Sequence, residues 1–210
     1  MSDRPVLVII AGPNGSGKTT LTRQLEDDGL NFGEYINPDV IAETLDGTYP
    51  ERVAKAQEIA EVRRQDCIVR RADFSFETVM SHPSKVGLLS QAKEAGYAIV
   101  LFFVATESPE LNVARVRQRV TFGGHDVPAD RIVARYHRTM SLLPAAIALC
   151  DRVVLFDNTY RPPRDEDIVL KPLVEMTVTD GKGGAHFALR VRATAPLPRW
   201  MSEALSKVAL

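Results

Sequence analysis

One run of residues, Gly12-Pro13-Asn14-Gly15-Ser16-Gly17-Lys18-Thr19, brings together the groups needed to hold a row of phosphates. The pattern is a glycine, four free positions, then Gly-Lys-Thr. In a loop of this kind successive backbone N–H groups point inward and form a nest for anions. Gly15 and Gly17 permit the angles required, and no side chain blocks the approach. Lys18 is a compact, mobile cation able to reach β- and γ-phosphates. The hydroxyl of Thr19, which Thr20 follows, is placed to ligate Mg²⁺.

Two carboxylates and a set of arginines have the types and positions to act on a bound triphosphate. Asp39 follows Asn37-Pro38, and Glu77 is followed by Thr78. Either acid could orient a hydroxyl, and Glu77 could also reach Mg²⁺ through water. Between positions 115 and 138 lie Arg115, Arg117, Arg119, Arg131, Arg135 and Arg138, with no lysine among them. They bracket Phe122-Gly123-Gly124-His125-Asp126-Val127-Pro128. Arginine-bearing helices joined by a Gly-Gly hinge suit a lid that closes over phosphates, because the guanidinium fork grips two oxygens and keeps its charge.

The elements that must position these groups are legible around them. Val6 to Ala11 is a continuous apolar run, as a strand buried on both faces should be. Leu21 and Leu25 lie four apart, which predicts a helix starting at the end of the loop. Glu34-Tyr35-Ile36 reads as a second strand, with Asn37 as N-cap and Pro38 at the first position of a helix. A long helix follows Pro50, with Val53, Ala56, Ala60 and Cys67 facing inward. The aromatic alternation of Asp73 to Val79 predicts a third strand ending at Glu77-Thr78. A helix from His82-Pro83, a strand over Tyr97–Val104, a helix capped by Ser108, another from Pro128 and a strand over Arg152–Asn158 complete the pattern. The polar end of that last strand, Asp157-Asn158, could border a nucleotide base. Together they predict an α/β three-layer sandwich of the P-loop NTPase type with a parallel five-stranded sheet.

The expected division is residues 1–160 as the main domain, with the Arg-rich lid at about 115–140, and residues 161–210 as an appendage. In the latter, Glu175 to Val191 reads as a β-hairpin around Asp180–Gly184. Trp200, Ala204, Leu205 and Val208 share one side of a short helix after Pro198, and that face must rest on the main domain or on a second subunit.

With 210 residues, 45% hydrophobic and 25% charged, the composition is that of an ordinary globular protein. The net charge of −1 argues against a general nucleic-acid surface. Cys67 and Cys150 make no disulfide framework and read as buried thiols. With no apolar run near 18 residues and no leader pattern, the sequence predicts no membrane association and a cytoplasmic location.

The chain resembles the zeta toxin family of P-loop kinases in its short bacterial form. The resemblance rests on Ala11 to Thr20, Asn37-Pro38-Asp39, Phe76-Glu77-Thr78, the Arg119–Arg138 lid and Asp157-Asn158. It spans about residues 6 to 160. It implies transfer of the γ-phosphoryl of ATP or GTP, with Mg²⁺, to a hydroxyl of a small substrate such as a UDP-N-acetylamino sugar. Lys18, Asp39, Arg119 and Arg135 would be catalytic, Asp39 as the general base, with Arg138 a further candidate. Gly12 to Thr20 would bind nucleotide, Asp39, Glu77 and Thr78 would contact substrate, and an antitoxin protein is an implied partner. One departure is visible: Val79-Met80-Ser81-His82 follows Glu77-Thr78 where the family often has an arginine soon after. From the residues alone two rivals stand: a nucleotide-switched ATPase that grips a macromolecular partner, and a polynucleotide end kinase, which the charge disfavours.

Overall fold

In a computed structural model the described residues are 4–123, 126–160, 169–181, 184–193 and 196–208. The chain begins with β1 (Val6–Ala11), α1 (Lys18–Asp27), β2 (Glu34–Ile36), α2 (Pro38–Glu43), α3 (Tyr49–Arg70) and β3 (Phe74–Thr78). It continues through α4 (Pro83–Glu94), β4 (Ala98–Ala105), α5 (Pro109–Val120), α6 (Ala129–Leu149) and β5 (Arg152–Asp157). β6 (Pro172–Gly181), β7 (Gly184–Val191) and α7 (Arg199–Leu205) follow.

The first five strands are parallel, in the order β2-β3-β1-β4-β5. Both faces are covered, which is why β1, β4 and β5 lack the polar alternation of a half-exposed strand. Leu7, Ile9 and Ala11 of β1 join one apolar cluster, while Val8 and Ile10 join the other. Leu21 and Leu25 of α1 cover the second face. Residues of α3, α4, α6 and α7 build the larger cluster on the first.

The sheet has seven strands rather than the five expected. β6 pairs antiparallel with β5, and β7 with β6, so the C-terminal hairpin extends the main sheet. Val174 and Met176 of β6 are buried in the larger cluster. The apolar face of α7 also rests on this core: Met201 is fully enclosed, and the Trp200 ring lies 5.8 Å from that of Phe103. Each such large side chain contributes about 2 kcal/mol by leaving water. Alternation in the sequence identifies the strands but carries no information about their partners, so the hairpin's attachment was not readable.

Several helix starts follow the sequence. Asn37 caps α2, its side-chain oxygen accepting from Asp39 N at 2.9 Å. His82 caps α4 through Nδ1, 3.2 Å from Ser84 N. Ser108 precedes α5 without a side-chain capping bond. Cys67 and Cys150 are buried, and desolvation raises both thiols, Cys67 to about 11. Among the described residues, no helix is long and apolar enough to cross a membrane.

Candidate active site

Register places the chemistry. Ile36 lies level with Phe76, and Ala11 with Thr78, so the segments that leave β1, β2 and β3 emerge side by side at one sheet edge. That edge, at the carboxyl ends of parallel strands, is where open α/β sheets bind ligands.

The loop from Gly12 to Lys18 has the shape its glycines permit. Gly12, Gly15 and Gly17 have φ of 152°, 73° and 105°. A Cβ on Gly12 would sit 2.0 Å from the Val104 carbonyl oxygen, and one on Gly17 would sit 2.4 Å from Asn158 Nδ2. Those glycines are demanded by close packing as well as by conformation. No side chain caps α1 at Gly17, which leaves its first-turn amides for an anion. Ser16 Oγ and Asn14 Oδ1 are buried without a protein partner. An inward-bent loop at an uncapped helix start, lined by unsatisfied polar atoms, fits a polyphosphate.

Lys18 Nζ donates to the carbonyls of Gly12 and Pro13, both at 3.0 Å. Its side chain keeps some accessible surface, yet protein crowds the ammonium. Desolvation lowers its pKa to about 8, and the charges of Glu77, Arg119, Asp39 and Arg135 also bear on it, the two acids opposing the fall and the two arginines adding to it. Two acids at or just after strand ends and two arginines from the helices flanking the expected hinge thus lie within electrostatic range of one ammonium. Arg119 is exposed and Arg135 half-buried. Gly123 has φ of 86°, while Gly124 and His125 of the hinge lie outside the described residues.

Glu77 sits in a network that the sequence did not reveal. Its Oε1 accepts from Thr22 Oγ1 at 2.6 Å and from Tyr35 Oη at 3.0 Å. Asn37 Nδ2 donates to the same Tyr35 oxygen at 3.1 Å. Burial, then the nearby carboxylate, raises the Tyr35 pKa, so the phenol stays a donor. With Oε1 occupied by two hydroxyls, Oε2 is the oxygen left to face a ligand. Asp39 is exposed in the first turn of α2. Thr78 is a pin at the strand end: its carbonyl accepts from Gly12 N at 3.2 Å, and its hydroxyl from Met80 N at 2.9 Å.

The residues after Thr78 plug the core. Met80 is buried, with φ of 53°, and Thr139 Oγ1 of α6 donates to the Val79 carbonyl at 2.7 Å. Asn158 supports the phosphate loop, donating through Nδ2 to the Ser16 carbonyl at 2.8 Å. Asp157 accepts from Thr159 and from Trp200 Nε1, so the polar end of β5 ties structure together.

Thr19 is exposed beside Lys18. Among the described residues no group of three or more His, Cys, Asp or Glu is suited to a metal. A hydroxyl at a helix start with a carboxylate nearby suits Mg²⁺ held mainly by phosphate oxygens and water.

A parallel sheet with a phosphate loop after its central strand, and acids at the next two strand ends, defines a P-loop kinase-type α/β protein. The sequence model of the Zeta toxin family matches residues 1–161, and the chain belongs to that family. An uncharacterised protein of Haemophilus influenzae is 29% identical over 134 residues, covering 61% of this chain and 91% of its own. The PezAT chromosomal toxin–antitoxin system of Streptococcus pneumoniae aligns with a TM-score of 0.54 at 19% identity, covering 75% of this chain and 70% of that one. The AvrRxo1-ORF1:AvrRxo1-ORF2 complex with sulphate ions aligns at 0.65 and 16% identity over 99% of this chain. The same complex with ATP aligns at 0.60 and 17% identity over 82%. This chain spans 65% and 58% of those last two chains. At such identities the likeness is one of fold.

Proposed function

We propose that the protein binds Mg²⁺ and ATP, or GTP, at Gly12–Thr20 and transfers the γ-phosphoryl to a hydroxyl of a small substrate. The observation that carries this reading is the glycine loop bent inward at the uncapped start of α1, with Ser16 Oγ and Asn14 Oδ1 buried and unpaired; the charges of Asp39, Glu77, Arg119 and Arg135 bear on its Lys18. Phosphoryl transfer needs positioning and charge compensation more than covalent chemistry, and these residues offer both. Lys18 would leave its carbonyl partners for the phosphate oxygens. Asp39 would orient the acceptor hydroxyl and take its proton, while Glu77 and Thr78 flank the acceptor. Arg119 and Arg135 would neutralise charge on the moving phosphoryl. The Thr19 hydroxyl would ligate Mg²⁺, which supplies Lewis-acid compensation when bound.

Membership of the Zeta toxin family supports a toxin-type kinase, and a UDP-N-acetylamino sugar is the acceptor to try first. The likeness to the PezAT toxin–antitoxin system and to AvrRxo1-ORF1:-ORF2 with ATP supports an antitoxin partner and ATP as donor. The rival reading as a partner-gripping switch drew on an unassigned apolar C-terminus. That face now packs on the chain's own core, which removes its motive.

The test is label transfer from ATP to a panel of hydroxyl metabolites, by wild type and Asp39→Ala. Loss of a general base lowers the rate about 10²- to 10⁴-fold, with ATP affinity kept. Equal transfer by both would refute the assignment of Asp39.

A further inference from the structure

The last helix lies beyond the residues matched by the family, yet its tryptophan reaches the support of the phosphate loop. The Trp200 indole N–H donates to Asp157 Oδ1 at 2.9 Å. The same oxygen accepts from Thr159 Oγ1 at 2.8 Å, and Oδ2 accepts from Thr159 N at 3.1 Å. Thr159 Oγ1 in turn accepts from Glu107 N at 2.8 Å. These bonds fix the turn immediately after β5. Asn158, the middle residue of that turn, has its N–H on the Ala105 carbonyl and its Nδ2 on the Ser16 carbonyl, both at 2.8 Å. The amide is tight against Gly17, so little room exists for it to shift without moving the loop.

A cavity of about 530 Å³ lies where α7 meets α5 and α6, lined by Glu107, Tyr136, Met140 and Trp200 among others. The ring packs on Phe103, and its hydrogen bond to the Asp157 carboxylate adds a fixed direction to that packing.

We propose that Trp200 is a positioning residue for the nucleotide site. By holding Asp157 it sets the turn from which Asn158 clamps the Ser16 carbonyl, and so fixes the neighbouring loop amides in their anion-binding orientation. The C-terminal segment is thus a working part of the nucleotide site. This inference rests on the reading that the loop binds nucleotide.

The test is titration calorimetry of the full chain with Mg²⁺ and a non-hydrolysable ATP analogue. Trp200→Phe keeps a six-membered ring against Phe103 and removes the donor together with part of the indole, a volume loss for which the next variant controls. Its expected effect is an ATP Kd raised about five- to tenfold, a part of the worth of one charge-assisted bond because the effect reaches the loop through Asn158, with KM for the acceptor unchanged. Met201→Ala is the control: it hollows the same helix without touching Asp157, so it lowers Tm but leaves the Kd alone. Thr159→Val loosens the turn from the other side, keeps α7 intact, and stands in should Trp200→Phe not fold; its expected rise is about two- to fivefold. An unchanged Kd in Thr159→Val or in folded Trp200→Phe, or an equal rise in Met201→Ala, overturns the proposal while sparing the kinase reading. A wild type that binds no nucleotide sinks both.

Discussion

Two cations are withdrawn from water on either side of β3, and they are treated in opposite ways. Arg64 of α3 is 2% exposed, lies 5.3 Å from the centre of the Phe76 ring and donates to Glu61 Oε2 at 2.7 Å. Lys85 of α4 shares that carboxylate at 3.6 Å. Lys18, on the edge where β1 and β3 end, donates to two neutral carbonyls of its own loop while two carboxylates stand near. Arg64 has already found the anion and the ring that suit it. Lys18 is held by partners weak enough to be left for a phosphate. A buried cation with a fixed counter-ion is architecture, and one parked on carbonyls is equipment.

The largest test of that contrast is to remove each cation in turn. Lys18→Met is expected to reduce phosphoryl transfer by about 10³-fold or more, as loss of a cation on the transferring group does, with Tm at neutral pH kept or raised because a desolvated charge is removed. Label transfer and a melting curve measure both. Arg64→Ala should do the reverse, lowering stability by about 3 kcal/mol through the void and the stranded pair while leaving transfer per folded molecule within about twofold. Arg64→Met should recover most of that loss. Denaturant midpoints decide it, and a rate loss in Arg64→Met at full folding would erase the distinction.

The smallest effect is a pH signature. Lys18 titrates near 8 when folded and at 10.5 when unfolded. Between those values the unfolded chain holds one more proton, so the Lys18 contribution makes stability rise with pH across this window and is flat below it. The wild type should therefore gain Tm relative to Lys18→Met from pH 8 to 10.5. ATP affinity should move the other way, weakening above pH 8 as the free ammonium is lost. Parallel trends in wild type and variant would show that Lys18 keeps an ordinary proton affinity.

What could be read in advance divides along the range of the interactions. The phosphate loop and the Asn37 cap are local, made by residues within a turn of each other, so spacing alone reveals them. Arg119 and Arg135 are singled out by charge type and a hinge, and both lie within electrostatic range of Lys18, although the Gly124-His125 part of that hinge is outside the described residues. Tyr35 was passed over because its partner, Glu77, is 42 positions away and a tyrosine in a short strand carries no mark of it. Asn158 is expected beside a nucleotide base and Trp200 on an apolar helix face, but their partners, the Ser16 carbonyl and Asp157, are invisible for the same reason, since an amide and an indole declare a role only once the fold has chosen their neighbours. The hairpin was recognised as strands, but strand periodicity says nothing about which sheet will accept them.

β1 is the middle of the five parallel strands, with β3 and β4 as its neighbours. The clamp on Ser16 comes from a residue 142 positions downstream. At translation speeds of about 5–20 residues per second, the phosphate-binding residues wait on the order of ten seconds for the partners that shape them. A nascent chain thus carries its phosphate loop well ahead of the residue that braces it.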